Sequence, residues 1–128
     1  MKSLLAALGF VAVTALASAA PPRIADISEA DLQAAIAAKA VTIFDVNGSE
    51  SYHTGHIPGA IDFSAHRGDV ARLLPADKNA LVVAYCRDVN CSAYRAAANA
   101  ALDLGYTNVR HFAPGIAGWV ASGAPTQK

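Results

Sequence analysis

The sequence feature that most constrains the fold is a short apolar run, Leu81 to Tyr85, that stops at Cys86. The run is brief and rich in β-forming residues, which predicts a buried strand. An alanine-rich helical pattern then extends from Ser92 to Leu104 and is closed by Gly105. A strand joined to a helix by so few residues predicts a tight turn that begins at Cys86.

The same alternation of strand and helix patterns runs along the rest of the chain. Strand-like runs occupy residues 41–46, 61–63 and 109–112, and further helical patterns follow Ser28 and include Trp119. This alternation predicts an α/β fold with a mainly parallel sheet. Functional sites of such sheets form at the carboxyl ends of strands, where Asp45 and Cys86 both lie.

The first nineteen residues have the layout of a cleavable secretory signal peptide. A basic start precedes an uncharged apolar run from Leu4 to Leu16, and Ala17-Ser18-Ala19 forms a small-residue cleavage site. We expect cleavage after Ala19, a linker over residues 20–26 and one domain over residues 27–125; the alternative is an uncleaved anchor. The protein is therefore expected in the periplasm or outside the cell, where thiols are readily oxidised.

The charge balance and the histidine spacing argue against several classes of partner. Ten Lys and Arg offset ten Asp and Glu, and they form no basic stripe that would suit nucleic acid. No second apolar run reaches membrane length, so no membrane span is expected after cleavage of the signal peptide. His56, His66 and His111 lack metal-ligand spacing, so we expect no metal and no other cofactor.

Cys86 is the strongest candidate for a catalytic side chain. The unpaired N–H groups of the turn and of the helix start are expected to form a small cup that favours negative charge. A cysteine at the rim of such a cup is favoured as a thiolate, a nucleophile, and the cup suits an anionic substrate or a persulfide. The alternative is that Cys86 and Cys91 form a structural disulfide or are inert core thiols.

Four stretches of the chain together resemble the rhodanese-like sulfurtransferase domain. They are Phe44-Asp45-Val46 with Glu50-Ser51-Tyr52; Gly55-His56-Ile57-Pro58-Gly59-Ala60; Val83-Ala84-Tyr85-Cys86 with Ser92-Ala93; and Gly115-Ile116-Ala117-Gly118-Trp119 with Gly123-Ala124-Pro125. The second stretch matches the family's G-H-I-P-G-A turn residue for residue, and the four occur in the family's order. The resemblance covers residues 24–125 and implies a mainly parallel central sheet flanked by helices on both faces.

The resemblance also implies a mechanism. As a thiolate, Cys86 attacks the outer sulfur of a donor such as thiosulfate or polysulfide and becomes a persulfide. A thiophilic acceptor, such as a thiol or cyanide, then removes that sulfur. Backbone N–H groups of the substrate-binding loop would stabilise the persulfide; the loop comprises Arg87, Asp88, Val89, Asn90, Cys91 and Ser92. The sequence identifies neither the physiological donor nor the acceptor.

Two positions depart from the family pattern. Cys91 stands where the family's loop ends in a basic residue, and Asn47 stands where the family's first strand is followed by Arg. The family's cations would help to hold an anionic donor, so we expect thiosulfate to be a poor donor. Arg87 either compensates from within the loop or points to solvent. The loop resembles instead a C-x-x-x-x-C subgroup of the family.

The second cysteine suggests a resolving thiol. Cys91 would attack a persulfide on Cys86 and release reduced sulfur, or attack a sulfenate there and release water, and either reaction leaves a Cys86–Cys91 disulfide; the alternative is a small buried residue without chemistry. Asp45, with Asn47, either supports the loop from behind or makes ordinary turn hydrogen bonds. Three functions therefore stay open: a sulfurtransferase, a thiol–disulfide redox protein, and a non-catalytic module that binds a sulfur species, an anion or a partner protein.

Overall fold

The computed structural model of the protein describes residues 23–128. The signal peptide predicted over residues 1–19 and the first part of the predicted linker, residues 20–22, lie outside this range. Among the helices of residues 23–128, none is both long and apolar enough to cross a membrane.

In the part of the chain that the structure describes, five strands form one sheet in which all neighbouring strands are parallel. They are β1 (Ala25–Asp26), β2 (Thr42–Asp45), β3 (Ile61–Asp62), β4 (Val82–Tyr85) and β5 (Val109–His111). Their spatial order is β1-β5-β4-β2-β3, which puts β4 at the centre. All four residues of β4 are buried, as expected for a strand that is covered on both faces. The predicted α/β fold with a mainly parallel sheet is confirmed.

Within residues 23–128, six helices cover the two faces of this sheet. They are α1 (Glu29–Ala37), α2 (Ser49–Thr54), α3 (Phe63–His66), α4 (Val70–Leu73), α5 (Arg95–Asp103) and α6 (Gly115–Ala121). Successive strand side chains point to opposite faces. β4 therefore sends Val82 and Ala84 into one core and Val83 and Tyr85 into the other.

We call the core covered by α5 the α5-side core and the core covered by α6 the α6-side core. In the α5-side core, Ala97 and Ala101 of α5 pack with Phe44 of β2, since small alanine side chains let a helix lie close to a sheet. In the α6-side core, Leu32 of α1 packs with Trp119 of α6. Helices thus flank both faces of the sheet, as the resemblance implies.

The predicted start of α1 is also confirmed. Ser28 is the N-cap residue, and its Oγ accepts a hydrogen bond from the Asp31 N–H at 3.1 Å and donates one to the Asp31 carboxylate at 2.8 Å. A side-chain oxygen at this position satisfies one of the N–H groups that a helix start leaves unpaired.

Two element boundaries differ from the prediction. Residues 25 and 26, expected in the linker, form the edge strand β1 beside β5. This strand has only two residues and both are exposed, so no hydrophobic alternation marks it in the sequence. The helix α5 begins at Arg95 and not at Ser92, because the carbonyls of Ser92 and Ala93 accept from N–H groups three residues later in tighter turns.

Candidate active site

Cys86 directly follows β4, at the carboxyl end of the central strand. Its side chain belongs to the α5-side core, and only 1% of the residue is exposed. Strand alternation explains this orientation, because Ala84 and Cys86 face one side while Tyr85 between them faces the other. The sulfur of Cys86 therefore lies at the base of the loop formed by residues 86–92, on the α5 side of the sheet.

The start of α6 holds the base of this loop. The N–H groups of Ile116 and Ala117 donate to the carbonyls of Cys86 and Arg87 at 3.0 and 2.9 Å. Gly115 permits the close approach: its φ is +62°, and a Cβ at this position would lie 2.5 Å from the Cys86 carbonyl oxygen. The glycine-containing segment near the end of the domain thus fixes the entry to the loop.

Cys86 and Cys91 are joined by a disulfide. Their Cα atoms lie 6.3 Å apart, within the range that a disulfide spans without backbone movement. The two cysteines differ in access, since Cys86 is buried while Cys91 is half-buried and packs at the margin of the α5-side core. A Cys86 nucleophile is therefore available only after this loop has been reduced.

Asp88 organises the polar groups of the loop. Its carboxylate accepts from the Asn90 N–H at 3.0 Å and from the Arg87 Nε at 3.1 Å, and its carbonyl accepts from the Cys91 N–H at 3.1 Å. The Asn90 N–H, followed by the Arg87 guanidinium, holds the pKa of Asp88 below its ordinary value. The Arg87 side chain is 75% exposed and paired with Asp88, so it points to solvent and does not replace the cations that the family pattern contains.

The outer part of the loop is open. Val89, Asn90 and Ser92 are exposed, Val89 by 70%. Among residues 23–128, the N–H groups of Arg87, Val89 and Ser92 meet no hydrogen-bond acceptor, whereas those of Asn90 and Cys91 are bound to Asp88. The cup expected from the sequence thus has part of its backbone donors available to an anion and part engaged within the loop.

Asp45 lies on the opposite face of the same sheet edge. It is 1% exposed; its Oδ2 accepts from the Tyr85 hydroxyl at 2.5 Å, and its Oδ1 accepts from the Asn47 N–H at 2.8 Å. Burial raises the pKa of Asp45, and these hydrogen bonds oppose the rise. Asp45 contacts the residue that precedes Cys86, so it reaches the loop only through Tyr85.

Tyr85 completes this buried arrangement, which we call the Asp45–Tyr85 network. Its hydroxyl also accepts from the Ile57 N–H at 3.0 Å, which ties the turn after α2 to the central strand. Burial, together with the neighbouring carboxylate, raises the pKa of Tyr85 far above its ordinary value. No role was predicted for this tyrosine; the signal in the sequence is a tyrosine inside an apolar strand, because a buried hydroxyl requires a partner.

The remaining polar candidates do not converge on the cysteines. The Nδ2 of Asn47 is buried and has no hydrogen-bond partner among the described residues. His56 stacks on Tyr52 and its Nδ1 lies 2.9 Å from the Tyr52 carbonyl, while His111 stacks on Tyr94. Within residues 23–128, no three His, Cys, Asp or Glu side chains are grouped so that they could hold a metal ion.

Comparison with known families gives a match that covers most of the described chain. The model of the family described as Rhodanese-like domain matches residues 28–122. Among curated proteins, the chain is 35% identical over 103 residues to the HTH-type transcriptional regulator Rv0324 of Mycobacterium tuberculosis. That match covers 80% of this chain but only 44% of the relative's own length.

Solved structures share the fold. A rhodanese-related protein from Thermoplasma volcanium is 26% identical, with a TM-score of 0.60 over 80% of this chain and 97% of that one. The human single-domain sulfurtransferase TSTD1 is 24% identical, with a TM-score of 0.60 over 75% of this chain and 95% of that one. A thiosulfate sulfurtransferase from Pseudomonas aeruginosa is 23% identical, with a TM-score of 0.66 over 81% of this chain and 20% of that one. The last two likenesses concern the fold alone.

Proposed function

Because the chain belongs to the rhodanese-like domain family, we propose that it is a sulfurtransferase that carries sulfane sulfur as a persulfide on Cys86. The observation that carries this proposal is the position of Cys86 at the end of the central strand, where it begins a loop whose Arg87, Val89 and Ser92 N–H groups meet no acceptor among residues 23–128. Backbone donors around a sulfur stabilise the negative charge that a thiolate or persulfide bears.

The cycle begins from the reduced loop. The Cys86 thiolate attacks the outer sulfur of a donor such as polysulfide or thiosulfate; the donor's S–S bond breaks and its electron pair leaves with the remainder of the donor. A thiolate acceptor then attacks the outer sulfur of the persulfide, and Cys86 leaves as a thiolate. Arg87 is paired with Asp88 and Cys91 is neutral, so thiosulfate is the weaker of the two donors.

We also propose that the protein works outside the cytoplasm, as a domain that includes β1 and is released from a signal peptide over residues 1–19. The layout of the first nineteen residues supports export. An oxidising compartment favours the disulfide form of the loop, so turnover there depends on a thiol or dithiol that reduces it. The small sulfur-containing anion and the thiol acceptor are the partners of this proposal, which includes neither nucleic acid nor a membrane span.

The test is the intact mass of the protein, first reduced, then freed of reductant and treated with polysulfide or thiosulfate. We expect a gain of one sulfur, about 32 Da, on Cys86. Cys86→Ser should lower single-turnover sulfur uptake by more than about 10³-fold, as loss of a nucleophile does. The matched variant Cys91→Ser should retain it. Sulfur uptake that survives in Cys86→Ser, or a reduced protein that takes up none, would contradict the proposal.

The disulfide favours a second candidate, a thiol–disulfide redox protein. In this function, the thiolate of a reductant attacks the half-buried Cys91, the S–S bond breaks and Cys86 leaves as a thiolate. Cys91→Ser then abolishes reductant-linked turnover, which separates the two candidates. A protein purified without reductant would weigh about 2 Da less than its dithiol form and, once reduced, would take up no sulfur.

The curated relative supports a third candidate, a module that binds a sulfur species or an anion without turning it over. That relative is named as a transcriptional regulator, so a similar domain occurs within a protein that is not named as an enzyme. In this case Cys86→Ser would abolish binding of the sulfur species, while the wild-type protein would pass no sulfur to cyanide or to a thiol.

A further inference from the structure

An open cavity of about 770 Å³ lies beside the Cys86–Ser92 loop. The residues that matter for its chemistry are Arg23, Asp26, Val89, Tyr94, Arg95 and His111. Val89 belongs to the loop between the two cysteines, and Tyr94 packs in the same core as Cys86. The cavity therefore adjoins the loop, and its volume falls in the range of pockets that hold small organic molecules, well above the size of thiosulfate.

The charge of this cavity is positive. Its carboxylate, Asp26, lies 3.3 Å from the Nδ1 of His111. Arg95, the first residue of α5, has its guanidinium over the Tyr94 ring at 5.3 Å. Within residues 23–128, neither Arg95 nor Arg23 forms an ion pair. Two guanidinium groups are thus available to a ligand, and carboxylates are groups that arginine binds well.

The location of the two arginines restricts the ligand further. Neither cysteine lines the cavity, so a group bound there is held away from the sulfurs. A ligand that uses both sites needs its carboxylate and its sulfur separated by several bonds, which thiosulfate does not offer. An extended thiol with carboxylate groups meets this requirement.

We propose that the cavity binds the carboxylates of a low-molecular-weight thiol through Arg95, assisted by Arg23, and delivers its sulfur to the loop. The inference rests on the proposed function in one respect, because this thiol is the sulfur acceptor of that cycle. The same binding also serves reduction of the loop. The ligand's thiolate attacks the Cys91 sulfur, the Cys86–Cys91 bond breaks and its electron pair goes to Cys86. A second thiolate attacks the ligand's sulfur, Cys91 leaves as a thiolate, and one ligand disulfide is released.

Reduction of the disulfide tests the inference without any sulfane donor. The oxidised full-length protein is mixed with glutathione or with glutathione diethyl ester, which differ only in their carboxylates. The reaction is quenched with acid, and free thiols are alkylated and counted by mass. We expect glutathione to reduce the wild-type loop about fivefold faster than the diester, after correction for the thiolate fraction of each reagent. We expect the Arg95→Gln variant to lose this preference.

Arg67→Gln is the matched control. Arg67 also lies over an aromatic ring, that of Phe63 at 5.2 Å, but it does not line the cavity. This variant removes the same charge and should retain the fivefold preference. Equal rates for the two thiols in the wild-type protein would overturn the inference. An equal loss of preference in both variants would also overturn it, because a long-range effect of net charge would then explain the result. None of these outcomes bears on whether Cys86 accepts sulfur, so the proposed function fails or stands separately.

Discussion

The carboxyl edge of the sheet carries two polar regions on opposite faces, and their hydrogen bonds reach different distances along the chain. In the Asp45–Tyr85 network, the Tyr85 hydroxyl of β4 bonds to groups from two other elements, Asp45 of β2 and Ile57 in the turn before β3. In the Cys86–Ser92 loop, the bonds of Asp88 that residues 23–128 supply reach only residues within three positions of it. The network therefore ties the fold together, whereas the loop is organised locally.

As a result, the hydrogen bonds that hold the sheet lie on one face of β4 and the cysteine lies on the other. Tyr85 and Cys86 are adjacent in the chain but face opposite cores. A loop whose polar groups bond locally is able to change between disulfide and dithiol without loss of the bonds that hold the sheet. Reactive groups are often carried on loops that a rigid scaffold positions, and here the Asp45–Tyr85 network is part of that scaffold.

The largest effect that we expect comes from the start of α6, a distant element to which the loop is bound. Gly115→Ala puts a methyl group 2.5 Å from the Cys86 carbonyl oxygen and 2.6 Å from the Arg87 carbonyl oxygen, at a φ of +62°. We expect a loss of about 3 kcal/mol or more in the free energy of unfolding, because relief of the clash requires the backbone of α6 or of the loop to move. Urea denaturation of the oxidised protein measures it.

Gly123→Ala is the control for this prediction. Gly123 also has a positive φ, +84°, but a Cβ there meets no atom within 4 Å. The control isolates the backbone strain, which should amount to about 1 kcal/mol. Equal losses in the two variants would show that α6 does not hold the base of the loop, and the loop would then be independent of the scaffold throughout.

The sequence predicted the parts of this arrangement that local patterns determine. The apolar run before Cys86 predicted the central strand, and the helical pattern after Ser28 predicted α1. The alternation of elements was enough for a parallel α/β sheet, and it put Asp45 and Cys86 at the same edge. Each of these features depends on residues within a few positions of one another, which is why sequence alone reveals them.

The parts that sequence did not predict depend on contacts between distant residues. Asp45 and Tyr85 are forty positions apart, and their hydrogen bond exists because β2 and β4 pair in a register that sets them side by side. Pairing with β5 defines β1, which has no pattern of its own. Arg95 lines the cavity beside the loop together with His111 and with Arg23 and Asp26, which lie far from it in the chain.

The next expected effect sharpens the separation between stability and chemistry. Tyr85→Phe removes a hydroxyl that bonds to both Asp45 and the Ile57 N–H. We expect a loss of about 2 kcal/mol in the free energy of unfolding, because two buried polar groups lose their partner. Sulfur uptake by Cys86 in the reduced variant should stay within about twofold of the wild-type rate at a temperature where both are folded, since the loop bonds are untouched.

Tyr52→Phe serves as the control on the same face. The Tyr52 hydroxyl donates to the Ala60 carbonyl at 2.7 Å and is only partly buried, so its removal should cost about 1 kcal/mol. If Tyr85→Phe slowed sulfur uptake tenfold while Tyr52→Phe did not, the Asp45–Tyr85 network would have to position the cysteine directly. The two faces would then not be separable in the way described above.

The smallest expected effect is a difference in the sign of two pH dependences. Burial raises the pKa of Asp45 above 3.8, so the folded state holds this proton more tightly than the unfolded chain does. The stability that Asp45 contributes therefore falls as pH rises from about 3.8 through its folded pKa. The pKa of Asp88 is lowered from 3.8, so its contribution is present above about pH 3.8 and is lost as pH falls through its folded pKa.

Urea midpoints of the wild-type protein, Asp45→Asn and Asp88→Asn between about pH 2.5 and 6 measure these two slopes, which span the unfolded pKa of both carboxyls. Each substitution also shifts the midpoint by a constant amount, so the comparison concerns the slope with pH. The urea midpoint of Asp45→Asn should rise relative to that of the wild-type protein as pH rises, because the variant lacks a group that resists ionisation. The urea midpoint of Asp88→Asn should fall relative to that of the wild-type protein as pH rises, because the variant lacks a carboxylate that the Asn90 N–H and the Arg87 guanidinium favour in its charged form. Slopes of the same sign would contradict the prediction, because they would mean that folding shifts the pKa of both carboxyls in the same direction.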